Sequence, residues 1–334
     1  MTTPTKQVPP LDLKRFQYDI APRRSPADPL RHKRSMDWAE RFQLAPSESA
    51  RKLIDKIHVD DMSAAIYVDA SPEVLDLCTD LLLWFFVSDD QYDERAIGAH
   101  PLKMEKVFGN FLRILQTGNE REAISPLGRA LLDLRNRLAM AGSANWYARF
   151  VSNMALYFEG CMCESRNRAL KRTPEFEEYR SLRRASVGTY PCFDLIEIAG
   201  SGELPKEVQD NPALPLLRDL SSDIIAWVND IVSYQKESAF SDPHNIVTVL
   251  REECGISVPE AVDKIIEFHN EEMQTFSDLA QGVGASGGEP ARRYIAGLLQ
   301  WMRGVFDWSF QSERYKQDYL TLSLHSDFVL LHIT

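Results

Sequence analysis

The run Phe85-Phe86-Val87-Ser88-Asp89-Asp90-Gln91-Tyr92-Asp93-Glu94 places four acids within six residues, directly after a pair of aromatics. On a helix, Asp89 and Asp93 share a face, and Phe85 lies one turn before Asp89 on it. Carboxylates this close repel one another unless protons or cations intervene. Hard oxygen donors on one helical face suit Mg²⁺, which keeps several waters and accepts phosphate oxygens as further ligands. The plain alternative is an acidic helix end at the surface, although acids at a helix C-terminus oppose the macrodipole. A second cluster runs Asn229-Asp230-Ile231-Val232-Ser233-Tyr234-Gln235-Lys236-Glu237. Asn229, Ser233 and Glu237 are spaced i, i+4, i+8, so an amide, a hydroxyl and a carboxylate line one helical edge. Together they can hold one divalent cation, and Lys236 beside them can meet an anion bound to it. Ile224, Trp227, Val228 and Ile231 occupy the other face, so this segment alone reads equally as an amphipathic surface helix.

Trp301, Trp308 and Tyr315 recur at seven-residue intervals along one face of a C-terminal helix. Such stripes ordinarily build core. Here Phe85 and Phe86 precede the acidic cluster, and Trp301 and Trp308 precede Arg314-Tyr315, so both aromatic groups sit a turn or two below charged rims. Aromatic faces stabilise cations without acting as nucleophiles. The seven histidines (His32, His58, His100, His244, His269, His325 and His332) form no HExxH or other tight ligand pair, and ordinary surface or core roles are expected for each.

These groups must be positioned by helices. Val74, Leu77, Cys78, Leu81 and Phe85 fall at i, i+3, i+4, i+7 and i+11, and helical spacing continues almost throughout from Trp38. Gly and Pro clusters at Ala70-Ser71-Pro72, Gly200-Ser201-Gly202, Asp242-Pro243 and Gly282 to Pro290 separate helix-length segments. The 334 residues, 44% hydrophobic and 26% charged, therefore predict one all-α domain over residues 37–320. Residues 1–36 hold six of the eighteen prolines and eight basic side chains against three acids. They read as a flexible arm, or alternatively as a basic strap folding over an anionic ligand; residues 321–334 read as a tail. A net charge of −11 argues against a nucleic-acid partner. The longest apolar run, Leu81 to Val87, is far short of the ~20 residues a bilayer requires, so no membrane insertion is expected. The N-terminus lacks an apolar h-region. Five cysteines without framework spacing suggest reduced thiols in a cytoplasm, with Cys161 and Cys163 as packing residues.

The DDxxD cluster, the NDxxSxxKE segment about 140 residues later and the Arg314-Tyr315 pair together resemble the class I terpene synthases. Over residues 38–320 the order and spacing are similar to microbial single-domain cyclases. The resemblance implies a helical bundle around a central cavity and three Mg²⁺ ions, with Mn²⁺ as an alternative. In that family the first aspartate bridges two ions, which falls on Asp89, while Asp90 and Asp93 support closure. Asn229, Ser233 and Glu237 then hold the third. An arginine 46 positions before the asparagine senses diphosphate, which points to Arg183, with Arg184 as its rival. Ser186, Val187 and Gly188 become the helix break that responds. Arg314, Lys236 and Tyr315 complete the diphosphate site, and Phe85, Phe86, Trp301 and Trp308 line the pocket. The implied substrate is an allylic prenyl diphosphate, farnesyl diphosphate first and geranylgeranyl diphosphate next. It ionises, cyclises, and loses a proton or captures water. A chain-extending prenyltransferase is the nearest alternative, although that class carries a second aspartate-rich motif where Asn229-Asp230-xx-Ser233 stands here. A helical protein that binds isoprenoid diphosphate without turnover is the other. Homodimers are common among relatives, but no residue points to one.

Overall fold

A computed structural model describes residues 8–18, 20–92, 96–239, 242–316 and 319. Apolar stripes at helical spacing become thirteen α-helices among these residues, with no strand. They are α1 (Arg31–Arg41), α2 (Glu48–Ile57), α3 (Val59–Ile66), α4 (Pro72–Tyr92), α5 (Pro101–Thr117), α6 (Pro126–Ala141) and α7 (Ala144–Leu170). After them come α8 (Phe176–Ser186), α9 (Thr189–Ile196), α10 (Lys206–Gln209), α11 (Leu214–Ala239), α12 (Ile246–Cys254) and α13 (Val258–Gln311). The all-α, single-domain expectation holds. None of these helices is long and apolar enough to cross a membrane.

The helix carrying the acidic cluster, α4, is buried on most sides: Leu81, Leu83 and Trp84 have no exposed surface. Such all-round burial fixes its orientation, because Trp84 also donates its indole N–H to the Leu127 carbonyl at 3.0 Å. The second cluster rides on α11, which packs along α13 and buries Ile224, Trp227, Val228 and Ile231. That face is therefore core rather than one side of a surface helix. Within α13, Gly288 adopts φ 62 just before Pro290, so the Gly/Pro run kinks this helix instead of ending it.

At the crossing of α13 with α3, a Cβ on Gly304 would lie 2.7 Å from the Ala65 carbonyl oxygen. Backbone cannot swing aside as a side-chain tip can. Gly304→Ala is expected to lower stability by about 1–3 kcal/mol through overpacking. This should outweigh the ~1 kcal/mol that Ala brings to a helix, and urea unfolding midpoints check it.

The N-terminal segment differs from a flexible arm over its described residues. Phe16 is buried, with its ring 5.1 Å from His269 and 5.2 Å from Phe306. Tyr18 lies 4.8 Å from Phe306. Asn270 on α13 accepts from Gln17 N–H at 3.0 Å and donates to the Arg15 carbonyl at 2.9 Å, satisfying backbone groups at the end of a short 3₁₀ turn. Basic residues pair with acids of the body: Arg15 with Asp263, Arg23 with Asp69, Arg24 with Asp61, and Arg34 with Asp76. Helix α1 begins at Arg31, before the expected boundary. The tail 321–334 lies outside the described residues.

Candidate active site

Asp89 and Asp90 sit near the end of α4 and face Arg314, which follows α13 in a short 3₁₀ turn. The Arg314 guanidinium is buried; it donates to Asp89 at 3.0 Å and to both oxygens of Asp90 at 2.7 and 2.9 Å. Lys236 reaches Asp90 at 3.3 Å, and Tyr319 donates its hydroxyl to it at 3.0 Å. Burial alone would raise Asp90, but Arg314 and Lys236 outweigh it and hold the carboxyl well below the usual range. Asp93 lies outside the described residues.

Across the mouth, α11 presents Asn229, Ser233 and Glu237. Asn229 accepts from Arg183 at 2.8 Å and donates to the Tyr315 hydroxyl at 3.0 Å, joining three elements. Asn245 donates to Glu237 at 2.7 Å and so orients that carboxylate. Burial, with Asp230 and Asp242 nearby, pushes Glu237 up to about 8 against the pull of Arg183. Ser233 Oγ is buried and has no hydrogen-bond partner. An orphaned hydroxyl between an amide oxygen and a carboxylate that is destabilised as an anion fits a divalent cation, since oxygen donors of this kind satisfy Mg²⁺.

The two adjacent arginines are separated by their partners. Arg183 pairs with buried Asp230 at 2.9 Å and lines the pocket. Arg184 points to Asp223 at 2.6 Å and Asp219 at 3.4 Å and does not line it. Helix α8 then stops. Gly188 takes φ 75, a left-handed conformation that costs an L-residue roughly 1–2 kcal/mol, and α9 restarts at Thr189.

Below the charged mouth lies a cavity of about 120 Å³, lined by Phe85, Phe86, Asp89, Arg183, Ser186, Val187, Gly188, Asn229, Trp301, Trp308 and Tyr315. All were sequence candidates. Trp308 packs on Phe86 at 5.4 Å and on Tyr315 at 5.9 Å, while Trp301 lies deeper, against Tyr67 and Phe193 at 5.8 Å each. Asp90, Ser233, Lys236, Glu237 and Arg314 surround the mouth without lining the cavity. A larger cavity, about 260 Å³, lies behind Tyr67 and is lined by Arg23, Asp69, Gly297 and Gln300. Its two arginines are already held, Arg23 by Asp69 at 2.7 Å and Arg293 by Glu289 at 2.9 Å, and no row of acids faces it, so the chemistry belongs to the smaller one.

Sequence reasoning missed Met62, Leu82, Tyr157, Thr189, Cys192, Ile225 and Val305 in the lining. The apolar stripe of α7 offered a signal for Tyr157 only as core. It also missed three positioning groups: Asp230 behind Arg183, Tyr319 on Asp90, and Asn245 on Glu237. A further cluster that can hold a metal, His32, His58 and Asp60, lies outside this pocket. The histidines were expected to form no ligand pair; these two come together only through the fold, 26 positions apart.

Comparison with known proteins agrees with this geometry. Residues 80–275 match the family model described as "Terpene synthase family 2, C-terminal metal binding". The chain is 32% identical over 284 residues to a germacrene A synthase of Nostoc punctiforme, covering 84% of this chain and 88% of that one. It is 33% identical over 304 residues to a Roseiflexus castenholzii (+)-T-muurolol synthase named as cyclising (2E,6E)-farnesyl diphosphate, with 90% and 93% covered. The solved germacradien-4-ol synthase of Streptomyces citricolor superposes with a TM-score of 0.77 at 26% identity, covering 89% of this chain and 98% of that chain. With the acidic cluster, the α11 triad and the aromatic cavity brought to one mouth, the chain belongs to terpene synthase family 2 and is a class I terpene synthase.

Proposed function

We propose that this enzyme ionises farnesyl diphosphate and cyclises the resulting cation to a sesquiterpene. The observation that carries the reading is the mouth itself: Asn229 is shared by Arg183 and Tyr315, beside the orphaned Ser233 hydroxyl and above an aromatic cavity. Asp89 would hold two Mg²⁺ ions and Asn229, Ser233 and Glu237 a third; when bound, the ions supply Lewis-acid stabilisation of the leaving diphosphate. Arg183, Lys236, Arg314 and Tyr315 bind the diphosphate oxygens, with Arg183 as the sensor. Ser186, Val187 and Gly188 provide the break that couples the sensor to the pocket. The apolar lining excludes water, and its π-faces stabilise positive charge. Cys78, Cys163, Cys192 and Cys254 form no disulfide, which suits a reducing compartment.

Incubation of purified protein with Mg²⁺ and each prenyl diphosphate, followed by analysis of extracted volatiles, tests this. Cyclic C15 products from farnesyl diphosphate support it. Longer diphosphates on adding isopentenyl diphosphate indicate chain extension, and unchanged substrate indicates a binder; either overturns it.

The aromatic floor gives a sharper prediction. Trp308 has an indole N–H without a partner, so it serves the cavity by its face rather than by hydrogen bonding. A desolvated cation–π contact contributes about 2 kcal/mol. Trp308→Ala or Phe85→Ala should shift products toward earlier-quenched, less cyclised terpenes. If these rings were only packing, truncation would cost about 3–5 kcal/mol of stability and leave the product unchanged. Product profile and melting temperature of the same two variants decide.

A further inference from the structure

His32 stands in the first turn of α1, and His58 and Asp60 form the corner between α2 and α3. One ligand atom from each lies within 4.8 Å of the other two. His32 Nδ1 is 2.8 Å from Asp60 Oδ1, and His58 Nδ1 is 3.9 Å from the same oxygen. The imidazole rings face each other at 5.0 Å. Two further features are specific to this corner. His58 adopts φ 50, ψ 52, a left-handed conformation uncommon for a residue with a side chain, and this backbone turns its ring toward His32. On the far side of His32, Nε2 lies 2.9 Å from Asp55. A carboxylate on the second ring nitrogen is the arrangement that fixes the tautomer of a metal-ligating histidine.

We propose that His32, His58 and Asp60 form a site for a first-row divalent cation of the Zn²⁺ type, with Asp55 as the carboxylate that orients His32. Two imidazoles and one carboxylate, with a fourth position open to solvent, suit Zn²⁺ rather than the Mg²⁺ favoured by all-oxygen donors. Small side-chain rotations bring the three donors to bond lengths of ~2.0–2.2 Å. The ion would join α1 to the α2–α3 corner. Lys56 in that corner reaches Glu313 at 4.0 Å, next to Arg314, so the site adjoins the turn that closes the pocket. Binding displaces the proton that Asp60 and Asp55 otherwise hold on His32.

The test is ZnCl₂ titration of metal-stripped protein in excess MgCl₂ and alkaline buffer, followed by calorimetry and by melting temperature. One equivalent should bind, with a raised melting temperature that a chelator reverses. His32→Ala and His58→Ala should each weaken binding at least tenfold, and Asp55→Asn by about 10–100-fold. Glu237→Gln should leave it unchanged, separating this site from the pocket. CoCl₂ should give tetrahedral d–d absorption that His58→Ala abolishes. Absence of binding, or binding undiminished in the His32→Ala and His58→Ala variants, would overturn the proposal and leave His32 held by two carboxylates.

Discussion

Glu237→Gln is expected to lower turnover by ~10²-fold or more at saturating Mg²⁺, a loss of at least ~2.7 kcal/mol of barrier stabilisation. Glutamine keeps the shape and can still accept from Asn245, which holds the native carboxylate at 2.7 Å. What it removes is the capacity to become a carboxylate ligand. Burial with Asp230 and Asp242 nearby already pushes Glu237 up to about 8, so glutamine resembles its protonated form near neutral pH, and the melting temperature of the ligand-free protein should hold. A stable enzyme that no longer ionises substrate is thus the signature. Full activity in steady-state assays with farnesyl diphosphate would remove Glu237 from the site. Asp89→Asn should behave similarly.

The second large effect separates the adjacent arginines. Arg183→Ala should abolish turnover and weaken binding of inorganic diphosphate with Mg²⁺. It also strands Asp230, which has no exposed surface, with the Tyr179 hydroxyl and the Ile246 N–H as its remaining side-chain donors among the described residues. Breaking a buried pair in this way costs about 3–5 kcal/mol. Arg183→Lys provides the cleaner measurement: one ammonium retains the charge but cannot reproduce the planar fork that spans Asn229 and Asp230. It should fold and still lose most turnover. Arg184→Ala leaves Asp223 paired with Arg180 at 2.8 Å, so both activity and melting temperature should fall much less. The reverse ranking in diphosphate-binding calorimetry would transfer the sensor role to Arg184.

Local periodicity made the helices legible, because burying one face of α4, α11 and α13 requires apolar residues every three or four positions. The acidic cluster and the α11 triad were legible for a related reason: ligands that converge on one ion from one helix must sit at turn spacing. Groups that act across the fold left no such trace. Asp230 could be read as one more acid in a motif, and only the structure shows it gripping Arg183 from behind. Tyr319 reaches Asp90 from 229 positions away. Phe16 and Tyr18 lie in a proline-rich stretch whose composition argued for an unattached arm. Their docking depends on Phe306 and His269, which nothing local specifies. His32 and His58 were missed likewise, since ligand pairs found by spacing alone must lie on the same turn.

The Arg314 guanidinium also lies 4.8 Å from the centre of the Phe86 ring while it grips Asp89 and Asp90. At rest, the protein therefore keeps its own delocalised cation over an aromatic wall of the cavity. The same guanidinium, with Lys236, offsets the charge of the neighbouring Asp89 and Asp90 carboxylates. If Arg314 turns to bind diphosphate, as proposed above, this contact would be given up and the Phe86 face opened to another cation. On that reading, a single side chain would hold the place of the carbocation and link uncovering of the aromatic wall to arrival of the leaving group.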